Sequence, residues 1–271
     1  MIVDAERPPM ILGVDLTIDE LLVIASRLDG AAENFPIVLG VTPDNILIDE
    51  LREVVWADVA EKLTEKNILD PSGVVIPGVA QMIEILTRPH RTLECRWWRE
   101  EHGVLVRFAI ARRGNDHVIM GRIDDKIVIQ RVANVGLASM VESVIDVLPA
   151  ADMEAVTGPA AALAGAQSAG DLIRFGCDSR SANTLLTATK KKTGWVHILA
   201  TETGSGGHVH RVDTIAAGIL DSHVGRVVSL PKTVGRELHA TFLRGTRDNL
   251  ARALRELTGF LPSGTWDENS R

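Results

Sequence analysis

Residues 201–213 read TETGSGGHVHRVD, a run whose residue types could support two kinds of chemistry. Gly204, Gly206 and Gly207 suggest a phosphate cradle, because unhindered backbone can turn several N–H groups toward one anion. His208 and His210 suggest a metal clamp, because residues two apart on a strand project from one face. His197 and Asp213 could then complete a ligand set. The phosphate reading fails on spacing. A Walker loop runs from its second glycine into Lys and Ser/Thr and then a helix, but Gly207 is followed by His208, Val209 and His210. A dinucleotide fingerprint fails for want of its third glycine and its helix. The metal reading lacks any HExxH-like pair, so a metal-dependent hydrolase using His208 and His210 stands only as the alternative function.

Nucleophilic catalysis has less behind it. There is no G-x-S-x-G elbow, and neither Cys95 nor Cys177 lies in a CxxC pair or beside a histidine. Glu100-Glu101, Asp124-Asp125 and Glu202 fall at expected hairpin ends, where solvation and turn chemistry account for acidic residues. No catalytic residue, metal or cofactor is expected, and the chain reads as a non-enzyme.

The elements that would hold these residues follow from periodicity. Thr17 caps a helix carrying Leu21, Leu22, Ile24 and Leu28, with Glu20 at the capping-box position. A long helix is expected over 42–63, where Leu47, Leu51, Val54, Val55, Val59 and Leu63 share a face, and a shorter one over 79–86. From Leu93 the pattern becomes strands: LECRWWR, VLVRFAIARR, HVIMGRI and KIVIQRV, parted by Gly/Asp/Asn turns. A helix with apolar positions from Leu137 to Leu148 closes this half. Helical segments then lead into GWVHILAT, VDTIAAGILD, GRVVSLP and RELHATFLRG, and a helix from Leu250 to Leu261 follows. A shift of 113 residues pairs Leu137 with Leu250, Val141 with Leu254 and Pro149 with Pro262. The expectation is a duplicated, quasi-two-fold α/β (α+β) fold with a central antiparallel sheet flanked by helical bundles. Its halves would be 1–150 and 151–271, within one compact unit. On this plan TETGSGGHVHRVD is a hairpin tip and REEHGVLVR its counterpart, so its glycines serve the turn first. Trp97 and Trp98, adjacent on one strand, should point to opposite faces, so both faces must be covered.

Composition sets outer limits. With 271 residues, 45% of them hydrophobic, the chain can bury a large core, and its formal charge of −7 disfavours nucleic-acid binding. No apolar run reaches the roughly 20 residues a membrane span needs, MIVDAERPPM does not read as a secretory leader, and two unpaired cysteines suit a reducing compartment. A cytoplasmic protein is expected, without membrane insertion.

Several stretches are specific enough to carry a resemblance: LTEKNILDPSGVVIPGVAQMIEIL, RTLECRWWREEHGVLVRFAIARRGNDHVI, GRVVSLPKTV and ARALRELTGFLPSGTW. In this order they resemble the EspG proteins of mycobacterial type VII (ESX) secretion, from about Gly13 to Trp266. The tightest pieces are RRG-x-x-H at Arg112–His117, GR-V-x-x-x-P at Gly225–Pro231 and LP-x-G-x-W at Leu261–Trp266. VDLTIDELLVIASRL and TGWVHILAT look most like the member of the first ESX system. The resemblance implies a cytosolic chaperone that binds PE–PPE heterodimers through the apolar helical tip of the PPE subunit and keeps them soluble. It also implies contacts from the central sheet, the loop between its second and third strands, and the C-terminal helices. Here those map to Trp98, to the short loop Glu100, Glu101, His102 and Gly103, and to its counterpart Glu202, Thr203, Gly204, Ser205, Gly206, Gly207 and His208. Weak self-association through the sheet is the other partner reading.

Overall fold

The computed structural model describes residues 13–42, 49–133 and 135–267, with the side chains of 49–53 left aside. The start of the expected 42–63 helix, with Leu47 and Leu51, lies outside the described side chains.

The first helix shows how local chemistry sets a boundary. Strand β1 (Gly13–Thr17) leads directly into α1 (Ile18–Ser26). Thr17 Oγ1 accepts the Glu20 N–H at 3.2 Å while Glu20 Oε2 accepts the Thr17 N–H at 2.9 Å, a reciprocal capping box. Then come α2 (Asp49–Glu65) and α3 (Pro77–Thr87), the latter with proline at its first position, where no intrahelical N–H is lost. Four strands follow, β2 (Arg91–Arg99), β3 (Val104–Arg113), β4 (Asp116–Ile123) and β5 (Lys126–Val132), and then α4 (Leu137–Glu142). After residue 150 come β6 (Val156–Pro159), α5 (Ala160–Ala164), α6 (Ala169–Ile173), α7 (Ser179–Lys190), β7 (Lys192–Thr203), β8 (Val209–Arg211), β9 (Ala217–Ser222), β10 (Val227–Val234), β11 (Glu237–Arg244) and α8 (Arg247–Thr258).

The eleven strands among the described residues join one sheet, in the order β1-β5-β4-β3-β2-β7-β9-β10-β11-β6, with β8 paired to β7. Every named strand pairing is antiparallel. The centre is the β2–β7 pair, in register from Arg91↔Glu202 to Arg99↔Gly194. From this seam outward each side runs through its meander to an edge strand that precedes the meander in sequence. The hairpins β4–β5 and β10–β11 both turn on two residues, Asp124-Asp125 and Gly235-Arg236. These tips lie 111 residues apart, so the 113-residue shift that aligns the helices is not constant across the strands.

Three apolar clusters cover the sheet. One face carries Leu93, Cys95, Trp97, Phe108, Val196, Ile198 and Ile219 against Met140, Val141, Leu250, Leu254 and Leu257 of α4 and α8. On the opposite face Ala109, Ala111, Val118 and Met120 pack under α1 and α3. Further along that face, Val227 packs with Leu163, Leu172, Ala182 and Leu185 of α5 to α7. At roughly 1.5–3 kcal/mol for each fully buried aliphatic side chain, these clusters are the main favourable term in folding.

Two segments depart from the periodic pattern. The apolar stripe to Leu148 predicts a longer α4, but the helix stops at Glu142 because the chain is drawn onto Arg226. Pro149 O accepts the Arg226 N–H at 2.8 Å, and Ala151 N–H donates to Arg226 O at 2.9 Å. Val147 is left 91% exposed as a result. The helical pattern after Met153 likewise hides β6, which pairs Val156–Pro159 with β11. Gly158 lets the strand run close under Phe175, where a Cβ would lie 3.1 Å from the ring and push it aside.

Candidate functional site

The expected contact residues fall at opposite ends of the seam. Because β2 and β7 are antiparallel, the loop after β2 lies beside the start of β7, and the loop after β7 lies beside the start of β2. Eight residue steps separate them, roughly 26 Å at about 3.3 Å per step. Trp98, Glu100, Glu101, His102 and Gly103 are together at one end. Glu100–His102 forms a single 3-10 turn closed by Gly103 at φ +59°, and Trp98 Nε1 donates to Glu100 Oε2 at 2.5 Å. Glu202, Thr203, Gly204, Ser205, Gly206, Gly207 and His208 are together at the other.

The glycine loop is the β7–β8 hairpin tip. Gly206 and Gly207 take φ +94° and +82°, a region open to glycine at little cost. Gly204 N–H donates to His208 O at 2.9 Å, which closes the turn. The histidines do not converge. His210 pairs in register with Glu202, whereas His197 pairs with Arg96 and Gly218 five residues back along β7, so an odd number of steps puts their side chains on opposite faces. Asp213 faces Arg211 Nε at 3.7 Å instead of a histidine. Among the described residues no three His, Cys, Asp or Glu side chains group as a metal site. The hydrolase alternative therefore has no geometric support.

Between the two loops lies a strip that period-two alternation along β2 and β7 could have revealed and motif searching did not. Trp97 turns into the core under α8, and Trp98 turns to the other face, as expected. There Trp98 stands opposite Trp195 and Leu105, and Arg96 opposite His197 and Arg107. All six are half-buried. The helices α1 and α3 cover the sheet on one side of this strip and α5 to α7 on the other, which leaves a trough floored by aromatic and cationic side chains. Burial, then the charge of Arg96, holds the His197 imidazole below its ordinary range, so the strip carries its positive charge on arginines.

The three tightest motifs do structural work away from the strip. Trp266 O accepts from Arg91 Nη1 at 2.7 Å and also from Arg112 Nη1, and its indole N–H donates to His117 Nε2 at 3.3 Å. RRG-x-x-H and LP-x-G-x-W are thus two halves of one latch that ties the C-terminal segment to the sheet. Ser263 extends it to the hairpin by donating its N–H and Oγ–H to Glu202 Oε2 at 3.0 and 2.8 Å. In GR-V-x-x-x-P, Arg226 grips Asp221 with two bonds of 2.7 and 2.8 Å, both residues being buried. Gly225, at φ +104°, passes so close to Ala151 that a Cβ would lie 2.7 Å from its backbone N.

Comparison with known proteins agrees with this architecture. The EspG family model matches residues 17–256. The ESX-1 secretion-associated protein EspG1 of Mycobacterium tuberculosis (strain ATCC 25618 / H37Rv) is 46% identical over 258 residues, 94% of this chain and 90% of that one. The ESX-3 secretion-associated protein EspG3 of Mycolicibacterium smegmatis (strain ATCC 700084 / mc(2)155) is 29% identical, covering 93% and 88%. Among solved structures, the type VII secretion system chaperone EspG5 of Mycobacterium tuberculosis, in complex with a PE25–PPE41 dimer, aligns with a TM-score of 0.76. It is 17% identical and covers 95% of this chain and 100% of that one, so the likeness is one of fold.

Proposed function

The chain belongs to the EspG family, and from that premise we propose that it is a cytoplasmic, non-catalytic chaperone of type VII secretion. Its cargo is a PE–PPE heterodimer, held through the apolar helical tip of the PPE subunit. The observation that carries this reading is the half-buried strip at the seam, with Trp98, Trp195 and Leu105 beside Arg96 and Arg107. Half-buried aromatic and arginine side chains are the types that dominate protein–protein contacts. An apolar helical tip left in water would self-associate; covering it favours the soluble complex by mass action. Trp98 with Glu100–Gly103, and the tip from Thr203 to His208, would grip the cargo from the two ends of the trough, while the Glu202 carboxylate anchors that tip to Ser263. No helix among the described residues is long and apolar enough to cross a membrane.

The test is co-expression with PE–PPE pairs of the organism that carries the chain. A cognate pair should become soluble and co-elute with the chaperone as a one-to-one-to-one complex by light scattering. If no pair co-elutes or gains solubility, and the chain instead elutes as a homodimer through its sheet, the chaperone reading is lost.

A further inference from the structure

At the hairpin end the trough deepens into a cleft of about 570 Å³. Its walls are the segment Asn34–Ile37, the turn Arg88–His90 and the β7–β8 hairpin, and its floor includes Thr92, Glu94 and Thr201. Two features set it apart from an ordinary surface groove. Its rim holds apolar side chains out in water: Ile37 is 72% exposed and Val209 60%. Its floor holds a carboxylate that is only 3% exposed and incompletely satisfied. Glu94 Oε1 accepts from Arg211 Nη2 at 2.5 Å, while Oε2 makes no full hydrogen bond among the described residues, the backbone N–H of Val38 being the other donor near the carboxylate. A buried acceptor left unmade is costly, and an occupant that supplies a donor recovers that cost.

The lining also restricts the occupant's charge. Glu94 is the only carboxylate in the lining; Arg211 already matches it, and Arg88 and Arg113 pair with Asp29 and Glu84 just outside. A lysine or arginine brought to Glu94 would compete with Arg211 for a carboxylate that is already charge-paired, whereas a neutral donor would not. Gly204 and Gly207 line the opposite wall, and Gly207 has open space where a side chain would stand, so backbone can approach an occupant closely.

We propose that this cleft is a second cargo-binding site, which takes an uncharged apolar segment of the bound protein and pairs one neutral hydrogen-bond donor, an amide or hydroxyl, with Glu94. The proposal rests on the chaperone reading and names what its hairpin end recognises. Ile37 and Val209 clasp the segment's apolar side chains, and Glu94 fixes its register.

The test uses a PE–PPE pair that co-elutes with the wild-type chain, so that the chaperone reading is already established when the cleft is examined. Affinity is measured by calorimetry. Ile37→Asp and Val209→Asp, both at exposed positions that leave the fold alone, should each weaken binding at least tenfold. Val234→Asp, at a comparably exposed site on the β10–β11 hairpin, should not. In Glu94→Gln, Arg211 claims the amide oxygen and the NH2 group faces the occupant's donor, so binding should fall several-fold. Wild-type affinity in both rim variants would overturn the site. Wild-type affinity in Glu94→Gln with weakened rim variants would overturn its hydrogen bond.

Discussion

Replacing Asp221 with alanine should destabilise this protein by about 3–5 kcal/mol, because it strands the Arg226 guanidinium in the interior. The geometry explains why the effect is large. Both side chains are 5% exposed, and the carboxylate takes two of the guanidinium's bonds at 2.7 and 2.8 Å. The remaining bond, 2.8 Å to Asp146 O, is to a neutral acceptor and cannot balance the charge. Arg226 cannot swing out, since Gly245 lies against it so closely that a Cβ there would be 2.2 Å from its Cγ. Urea unfolding of purified variants measures the loss. The double variant Asp221→Leu/Arg226→Met removes both charges and keeps the volume, and should recover most of the stability. A surface comparison is Asp152→Ala, which breaks ion pairs to Arg180 and Arg244 whose side chains are 60% and 50% exposed; it should cost no more than about 1 kcal/mol. If Asp221→Ala costs as little as Asp152→Ala, or if the double variant is no better than the single, the buried-charge argument is wrong.

Gly225→Ala should cost several kcal/mol in the same assay, since strain of about 1–2 kcal/mol at positive φ adds to a backbone clash, whereas Gly103→Ala, at φ +59° with nothing within 4 Å, should cost about 1 kcal/mol; equal losses would refute the close approach to Ala151. The His117 imidazole is held below its ordinary value of about 6.5, first by burial and then by Arg112. As pH falls the unfolded chain therefore takes the proton first, and the stability this group contributes, complete above the ordinary value, is lost toward the lower folded one. Glu94, raised chiefly by burial, acts in the opposite sense, so the readout is the difference between wild type and His117→Gln. Between pH 7.5 and 5.5 His117→Gln should lose less stability than wild type, and parallel losses would count against the latch chemistry. Replacing Gly204–Gly207 with a two-residue turn should weaken cargo binding while leaving urea stability within about 1 kcal/mol; unchanged affinity would make the tip a connector only.

Local and periodic features were legible in the sequence because they depend on neighbouring residues. The Thr17–Glu20 box, the meanders, the opposed faces of Trp97 and Trp98 and the glycine hairpin all follow from one turn of chain or from alternation. What escaped depends on residues far apart. The end of α4 is decided by Arg226, some eighty positions on, and the edge strand β6 needs β11 to pair with. The trough was hidden for the same reason. In sequence Arg96 is one arginine among many and His197 suggests only a metal ligand, until the β2–β7 register sets them side by side. Antiparallel pairing also sets the two expected contact loops at opposite ends of the seam.

The motifs that mark this chain most specifically thus lie away from its proposed cargo face, and the physics of the sheet explains the division. Each end of the β2–β7 seam carries a clamp. At one end Arg91, Arg112, His117 and Glu202 bind the Trp266 segment; at the other Arg226 and Asp221 bind the chain at Asp146 and Ala150. Each clamp uses buried charge or a glycine with no room for a side chain, so each tolerates few substitutions. Between them the trough is built from half-buried side chains on fixed backbone, and most changes there alter contact without altering fold. A scaffold divided in this way can keep its architecture while its cargo face is retuned. Substitutions at Trp98, Trp195 or Arg107 should therefore shift cargo affinity with little change in stability, and substitutions in either clamp should do the reverse.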